Sequence, residues 1–192
     1  DQYITPEMYW MEEDGRNHTL AVLGANPSIN VSIWLWCGQL SSMSTEEVSN
    51  YLAQISWLEE QKPAVKFIYA TGHLDSTGSA GTLHRNNEII RAYCRDNNKI
   101  LYDFADIERY DPSMNDYLDL GGGRVGGDGE SDGCLYDEGG NWASEWCAVN
   151  PGSPLCATCA QCECAHSQPL NCNLKGRALW WLLARIAGWT GP

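Results

Sequence analysis

The chain has 192 residues, with 12 Lys and Arg against 25 Asp and Glu for a formal charge of -13. That balance argues against a nucleic-acid partner, whose phosphates need a basic surface, and against an anionic membrane surface. With 43% hydrophobic and 19% charged residues, the composition is that of a globular protein, and the length suits a single domain, 1–192, with a core of its own.

Residues 1–30 show no clear period: Pro6, Gly15, Gly24 and Pro27 punctuate one apolar stretch, Leu20 to Leu23, and read as irregular. Neither an initiator Met nor a signal peptide stands at Asp1, so processing or trimming of a longer product is expected. From Ile29 to Cys37 the run INVSIWLWC is β-branched and aromatic and stops at Gly38, which predicts a buried strand. Ser44 with Glu47 three residues on forms a capping-box signature, and Val48, Tyr51, Leu52, Ile55 and Leu58 recur at helical spacing. A helix over Thr45–Gln61, stopped by Pro63, follows. The pattern then repeats. Val65 to Ala70 reads as a strand, Leu83 to Asn97 as a helix presenting Ile89, Ile90, Tyr93 and Cys94, and Lys99 to Phe104 as a third strand.

Strands alternating with helices at this interval imply crossovers and a parallel sheet covered on both faces. Ligands of such sheets bind beyond the carboxyl ends of the strands. Here those ends are Cys37-Gly38-Gln39, Thr71-Gly72-His73 and Asp103 to Asp106. Residues 110–169 read as an irregular insertion rich in Gly, Asp and Cys. Its Asp128, Glu130 and Asp132 suggest either a calcium loop or a solvated one, and the missing EF-hand spacing favours the solvated loop. Leu174 to Ala187 reads as a final apolar helix with Gly188 at its end, too short to span a membrane and interrupted by Arg177 and Arg185.

Nine cysteines in this length point to an oxidising compartment: secreted, periplasmic or at the cell surface. An odd count leaves one thiol unpaired. Cys37 and Cys94 lie in apolar stretches and read as inert buried thiols. The other seven fall between Cys134 and Cys172, five of them in the run Cys156, Cys159, Cys162, Cys164 and Cys172. A zinc site, with or without His166, would show two separated Cys pairs, and a c-type haem would show C-x-x-C-H. A disulfide-stapled loop ahead of the last helix fits the run better, though its pairing is not readable.

Glu163-Cys164-Ala165-His166 stands just before that helix. An acid three residues before a His at this point of a parallel α/β sheet suits the orienting carboxylate and general base of a hydrolase. His73, at a strand end, suits either a site-lining role, with Asp75 binding a substrate hydroxyl, or a structural loop. His84 reads as a surface residue. Trp34, Trp36, Trp180 and Trp181 suit sugar stacking or core burial, and their placement favours the core for most of them.

The strand running into Trp36-Cys37-Gly38-Gln39, the segment FIYATGHLDSTGSAGTLHRNNEIIRAYCRDNNKILYDFADIERYDP and the ending CECAHSQPLNCNLKGRALWWLLARIAGW resemble a bacterial branch of the SGNH (GDSL-type) hydrolases. The resemblance covers roughly residues 20–112 and 141–189. It implies a flavodoxin-like three-layer α/β/α sandwich and ester hydrolysis, commonly of acylated carbohydrates or lipids, with no metal and no cofactor. Its late D-x-x-H block would correspond to Glu163 and His166, and its Gly-x-Asn block to Gly38 and Gln39, the latter as oxyanion-hole donor. The superfamily's nucleophilic Ser follows the first strand, and no such strand and turn occur here. Ser76 imitates the letters but follows the wrong strand. A Ser from a segment upstream of Asp1 is therefore expected. The alternative is a non-catalytic surface or assembly protein on the same scaffold, whose open sheet edge would pair with a cleaved N-terminal fragment or another copy of the chain.

Overall fold

The computed structural model describes residues 11–125, 132–157 and 166–191. Strands β1 (Val31–Ile33), β2 (Lys66–Ala70) and β3 (Ile100–Tyr102) form an open sheet in the order β1-β2-β3. Both pairings are parallel, with Ser32 opposite Phe67 and Tyr69 opposite Leu101. Parallel neighbours need crossovers. Helix α2 (Thr45–Gln61) supplies the first and α3 (Thr82–Asp96) the second.

Helix α2 has the predicted bounds because its start is encoded locally. The Glu47 backbone N–H donates to Ser44 Oγ at 3.2 Å and the Ser44 N–H to Glu47 Oε2 at 2.7 Å, a reciprocal box that satisfies two orphan donors. Its buried stripe of Val48, Tyr51, Leu52, Ile55 and Leu58 enters the main core with Trp34, Trp36, Phe67, Tyr69 and Ile90. The alternate residues of β2, Ile68 and Ala70, pack instead with Tyr102 against Ala178, Leu179, Leu182, Leu183 and Ile186. Side chains of a strand alternate between faces, so helix α7 (Pro169–Ile186) lies across the sheet from α2 and α3. Gly188, at φ 93°, ends α7 as expected.

Several elements differ from the sequence expectation. The first strand pairs over three residues only, although burial keeps alternating beyond it: Trp34 and Trp36 are buried, Leu35 and Cys37 exposed. Residues read as irregular contain α1 (Glu13–Ala25), which buries Gly15, Thr19 and Leu23, a narrow face of mostly small residues. A short α4 (Phe104–Arg109) follows β3, and α7 begins at Pro169, five residues earlier than expected. The insertion carries α5 (Trp142–Val149) and α6 (Pro154–Ala157) around a second core of Cys134, Trp142, Ala143 and Leu170. Asp132 is a structural tie there, accepting from Cys134 N, Asn141 Nδ2 and Gln168 Nε2. Asp128 and Glu130 lie outside the described residues.

Trp34 and Trp36 are core residues, whereas Trp180 and Trp181 face outward at 75% and 49% exposure, contrary to expectation. Cys147 is bridged to Cys156, and Cys172 is also disulfide-bonded, which fits an oxidising compartment. Cys159, Cys162 and Cys164 lie outside the described residues. The outer edge of β1 is unpaired among the described residues, and no helix among them is long and apolar enough to cross a membrane.

Candidate active site

Helix α7 covers β2 and β3 more fully than the end of β1, where Ile33 and Leu35 remain 40% and 37% exposed. The gap at the carboxyl ends of the strands is a cleft of about 190 Å³ whose lining includes Leu35, Cys37, His73, Glu108, His166 and Lys175. Alternation puts Cys37 there. With Trp34 and Trp36 directed into the main core, Leu35 and Cys37 must point the other way. Cys37 is therefore exposed rather than the inert buried thiol expected, while Cys94 is buried as expected.

His73 is held by the loop leaving β2. Gly72 N–H donates to Asn87 Oδ1 at 2.8 Å and Asn87 Nδ2 donates to Gly72 O at 3.3 Å, so one side-chain amide takes over the backbone pairing where the ladder ends. A Cβ at Gly72 would come within 3.0 Å of Leu40 and 3.2 Å of Leu83, which is why the loop can sit this close to α3. Thr71 Oγ1 donates to Asp103 Oδ1 and accepts from Ala105 N, and Arg91 grips the same carboxylate through Nε and Nη2. This ties the ends of β2 and β3 together.

The imidazole itself is oriented by one bond. His73 Nδ1 lies 2.8 Å from Leu74 O, and a carbonyl only accepts, so Nδ1 carries the proton. In the neutral ring Nε2 then offers a lone pair, and it faces Cys37 Sγ at 3.8 Å. Leu74 is fixed in turn, its N–H donating to Glu108 Oε2 at 2.7 Å. Glu108 is 1% exposed and pairs through Oε1 with Lys175 Nζ at 2.6 Å. That ammonium sits 4.3 Å from the centre of the Phe104 ring, and Tyr102 OH donates to the Lys175 carbonyl at 3.0 Å. A buried charge pair with these further contacts anchors the loop that carries His73.

His166 reaches the cleft from the other side, just ahead of α7. Its backbone is left-handed, φ 59°, and its carbonyl accepts from Gly133 N–H at 3.0 Å. A non-glycine residue held there costs of order 1–2 kcal/mol. Two of the site residues read from the sequence, His73 and His166, thus share one cleft. Gly38 and Gln39 follow Cys37 in a 3₁₀ turn, Gly38–Ser41, and neither contributes to the lining; Gln39 Oε1 is buried without a hydrogen-bond partner among the described residues. Glu163 lies outside the described residues.

Asp75 and Ser76 are placed apart from that cleft. Asp75 Oδ1 accepts from Thr77 N and Oγ1, an Asx-type turn. Ser76 is left-handed at φ 65° and donates its N–H to Gly122 O. Together with His84 they line a space of about 10 Å³, room for no more than a water. The sequence reading missed Cys37, Glu108 and Lys175. The first was legible in the alternation of Trp34 to Cys37; the ion pair joins positions 67 residues apart and leaves no local signal. No group of three His, Cys, Asp or Glu side chains among the described residues is placed to hold a metal ion. Compared with protein-family models, curated proteins and solved structures, the chain matches none.

Proposed function

We propose that the chain is an ester hydrolase of SGNH type, built on a flavodoxin-like three-layer α/β/α sandwich and acting outside the cytoplasm on an acylated carbohydrate or lipid. The observation that carries this reading is the convergence of His73 and His166 on one cleft beyond the carboxyl ends of parallel strands. The sequential strand order and the apolar clusters on both faces of the sheet support the scaffold.

In this reading His166 is the general base that activates water for release of the acyl group, with Glu163 orienting its ring. Lys175, whose charge is paired with Glu108 in the same wall, offers a further N–H of its ammonium to the oxyanion that a tetrahedral intermediate develops. That role replaces the Gln39 amide, which is not part of the cleft wall. His73 lines the site, whereas Asp75 serves its own turn rather than a substrate hydroxyl. The expected outcome is measurable hydrolysis of 4-nitrophenyl acetate, with His166→Ala lowering kcat by about 100-fold, the lower range of a general base's contribution. His166 is exposed, so the variant should keep the fold. Equal turnover by the two proteins would remove the assignment.

A further inference from the structure

We infer that Cys37 is the nucleophile of this site and His73 its base, so that the acyl-enzyme is a thioester formed within this chain. The inference rests on the ester-hydrolase reading for its substrate, but it replaces the serine expected from upstream. Three observations meet here. Cys37 Sγ and His73 Nε2 are 3.8 Å apart, a thiol-to-imidazole hydrogen bond. The tautomer set by the bond of Nδ1 to Leu74 O leaves Nε2 as the proton acceptor. Both groups line a cleft of about 190 Å³ that also admits His166 and Lys175.

The three free thiols among the described residues are not equivalent. Cys94 and Cys134 are 2% and 0% exposed, packed into the main and second cores. Cys37 is the exposed one of the three, and its sulfur faces an imidazole nitrogen. A thiol needs an adjacent base or positive charge to become a nucleophile at neutral pH, and this position supplies one.

The Cys37 S–H proton passes to His73 Nε2 while the sulfur lone pair forms a bond to the ester carbonyl carbon, and the carbonyl π pair moves onto oxygen. Collapse of that intermediate breaks the carbon–oxygen bond to the alcohol, which leaves with the proton from Nε2, giving the Cys37 thioester. A water molecule then gives its proton to His166 and adds to the thioester carbonyl. Collapse breaks the carbon–sulfur bond, the acid departs, and the proton held by His166 passes to the Cys37 sulfur, restoring both groups. The sum is ester plus water giving acid plus alcohol, with no change of oxidation state.

Two measurements test this. In limiting iodoacetamide at pH 7, followed by peptide mapping, Cys37 should alkylate at least about tenfold faster than glutathione, as expected of an activated thiol, and His73→Gln should bring it down to the glutathione rate. With 4-nitrophenyl acetate, a rapid quench should trap one acetyl group on Cys37, and Cys37→Ala should abolish both the adduct and turnover. Cys37 is exposed, so folding of that variant is not in question and is checked by circular dichroism. Alkylation of the wild type at the glutathione rate overturns the pair. Hydrolysis retained by Cys37→Ala overturns Cys37 as nucleophile while leaving the ester-hydrolase reading and an upstream serine standing. Fast alkylation without any ester turnover supports the pair and instead overturns the ester-hydrolase reading.

Discussion

The most constrained residue of the site is one that the sequence does not advertise. Glu108 lies between Ile107 and Arg109, a setting that reads as solvated, and Lys175 sits beside Gly176 and Arg177 with the same appearance. Folding brings them together at 1% and 9% exposure and adds the Leu74 N–H to the carboxylate. Desolvating two charges is costly, so their net contribution to stability is modest, yet removing one leaves the other buried and uncompensated. Glu108→Ala is expected to lose about 3–5 kcal/mol of unfolding free energy on those grounds, measured by urea denaturation. The double change Glu108→Gln with Lys175→Met should recover more than half, because Gln keeps an acceptor for Leu74 and Met keeps the volume of the lysine stem. If the double variant is no more stable than Glu108→Ala, the loss comes from packing at Gly133, which touches the Glu108 side chain, and not from a stranded ammonium. The placement of His73 and His166 near the strand ends was legible because strand ends and helix entrances can be placed from periodicity. The ion pair beneath them was not, since only tertiary structure pairs residues so distant in the chain.

At the scale of elements, legibility followed how local the determining physics is. Helix α2 is specified by the Ser44 cap immediately before it and an apolar stripe within its own seventeen residues, and its predicted and observed bounds coincide. Strands β2 and β3 were placed to within a residue or two, because β-branched and aromatic runs between turn residues are also local signals. Helix α1 was missed because its buried face is Gly15, Thr19 and Leu23, with a single large apolar side chain among them and so no hydrophobic period. Arg16 lies 5.6 Å from the Trp57 ring of α2, a contact that appears only once both helices exist. The start of α7 was missed for a related reason: Asn171, Asn173 and Gly176 dilute the apolar period over its first turns, while Pro169 sits in the first turn, where proline is tolerated. If the α2 cap is as determining as its legibility suggests, Ser44→Ala should cost about 1 kcal/mol, read as a lower urea midpoint at unchanged slope. Ser44→Asp should restore most of it. A midpoint unmoved by the alanine would mean that the apolar stripe alone fixes where α2 begins.

For the molecule as a whole, the two cores share a chemical weakness. Each contains a buried free thiol: Cys94 among the residues of α2, α3 and β2, and Cys134 beside Trp142 and Leu170. Burial pushes both up to about 12, with nearby carboxylates adding to the effect, from 9.0 for an unperturbed thiol. Tyr102 and Tyr117 are raised by burial to about 12 as well, from 10.0. A raised folded-state value means that the unfolded chain releases its proton first. The stability these groups contribute is therefore fully present below about pH 9, and it falls as pH climbs from there toward about 12. Urea midpoints should be level between pH 7 and about pH 9 and then decline, the thiols acting first and the two phenols joining near pH 10. A formal charge of -13 complicates the experiment, because lysine deprotonation above pH 10 adds self-repulsion that also favours unfolding. Salt separates the two causes: screening weakens repulsion between exposed charges but does little for a thiol inside a core. At 0.5 M NaCl the decline just above pH 9 should persist, and the variant Cys94→Ala with Cys134→Ala should remove that first part while keeping the later one. A decline that salt abolishes, with the double variant unchanged from wild type, would assign the alkaline limit to surface charge and leave the buried thiols without a part in it.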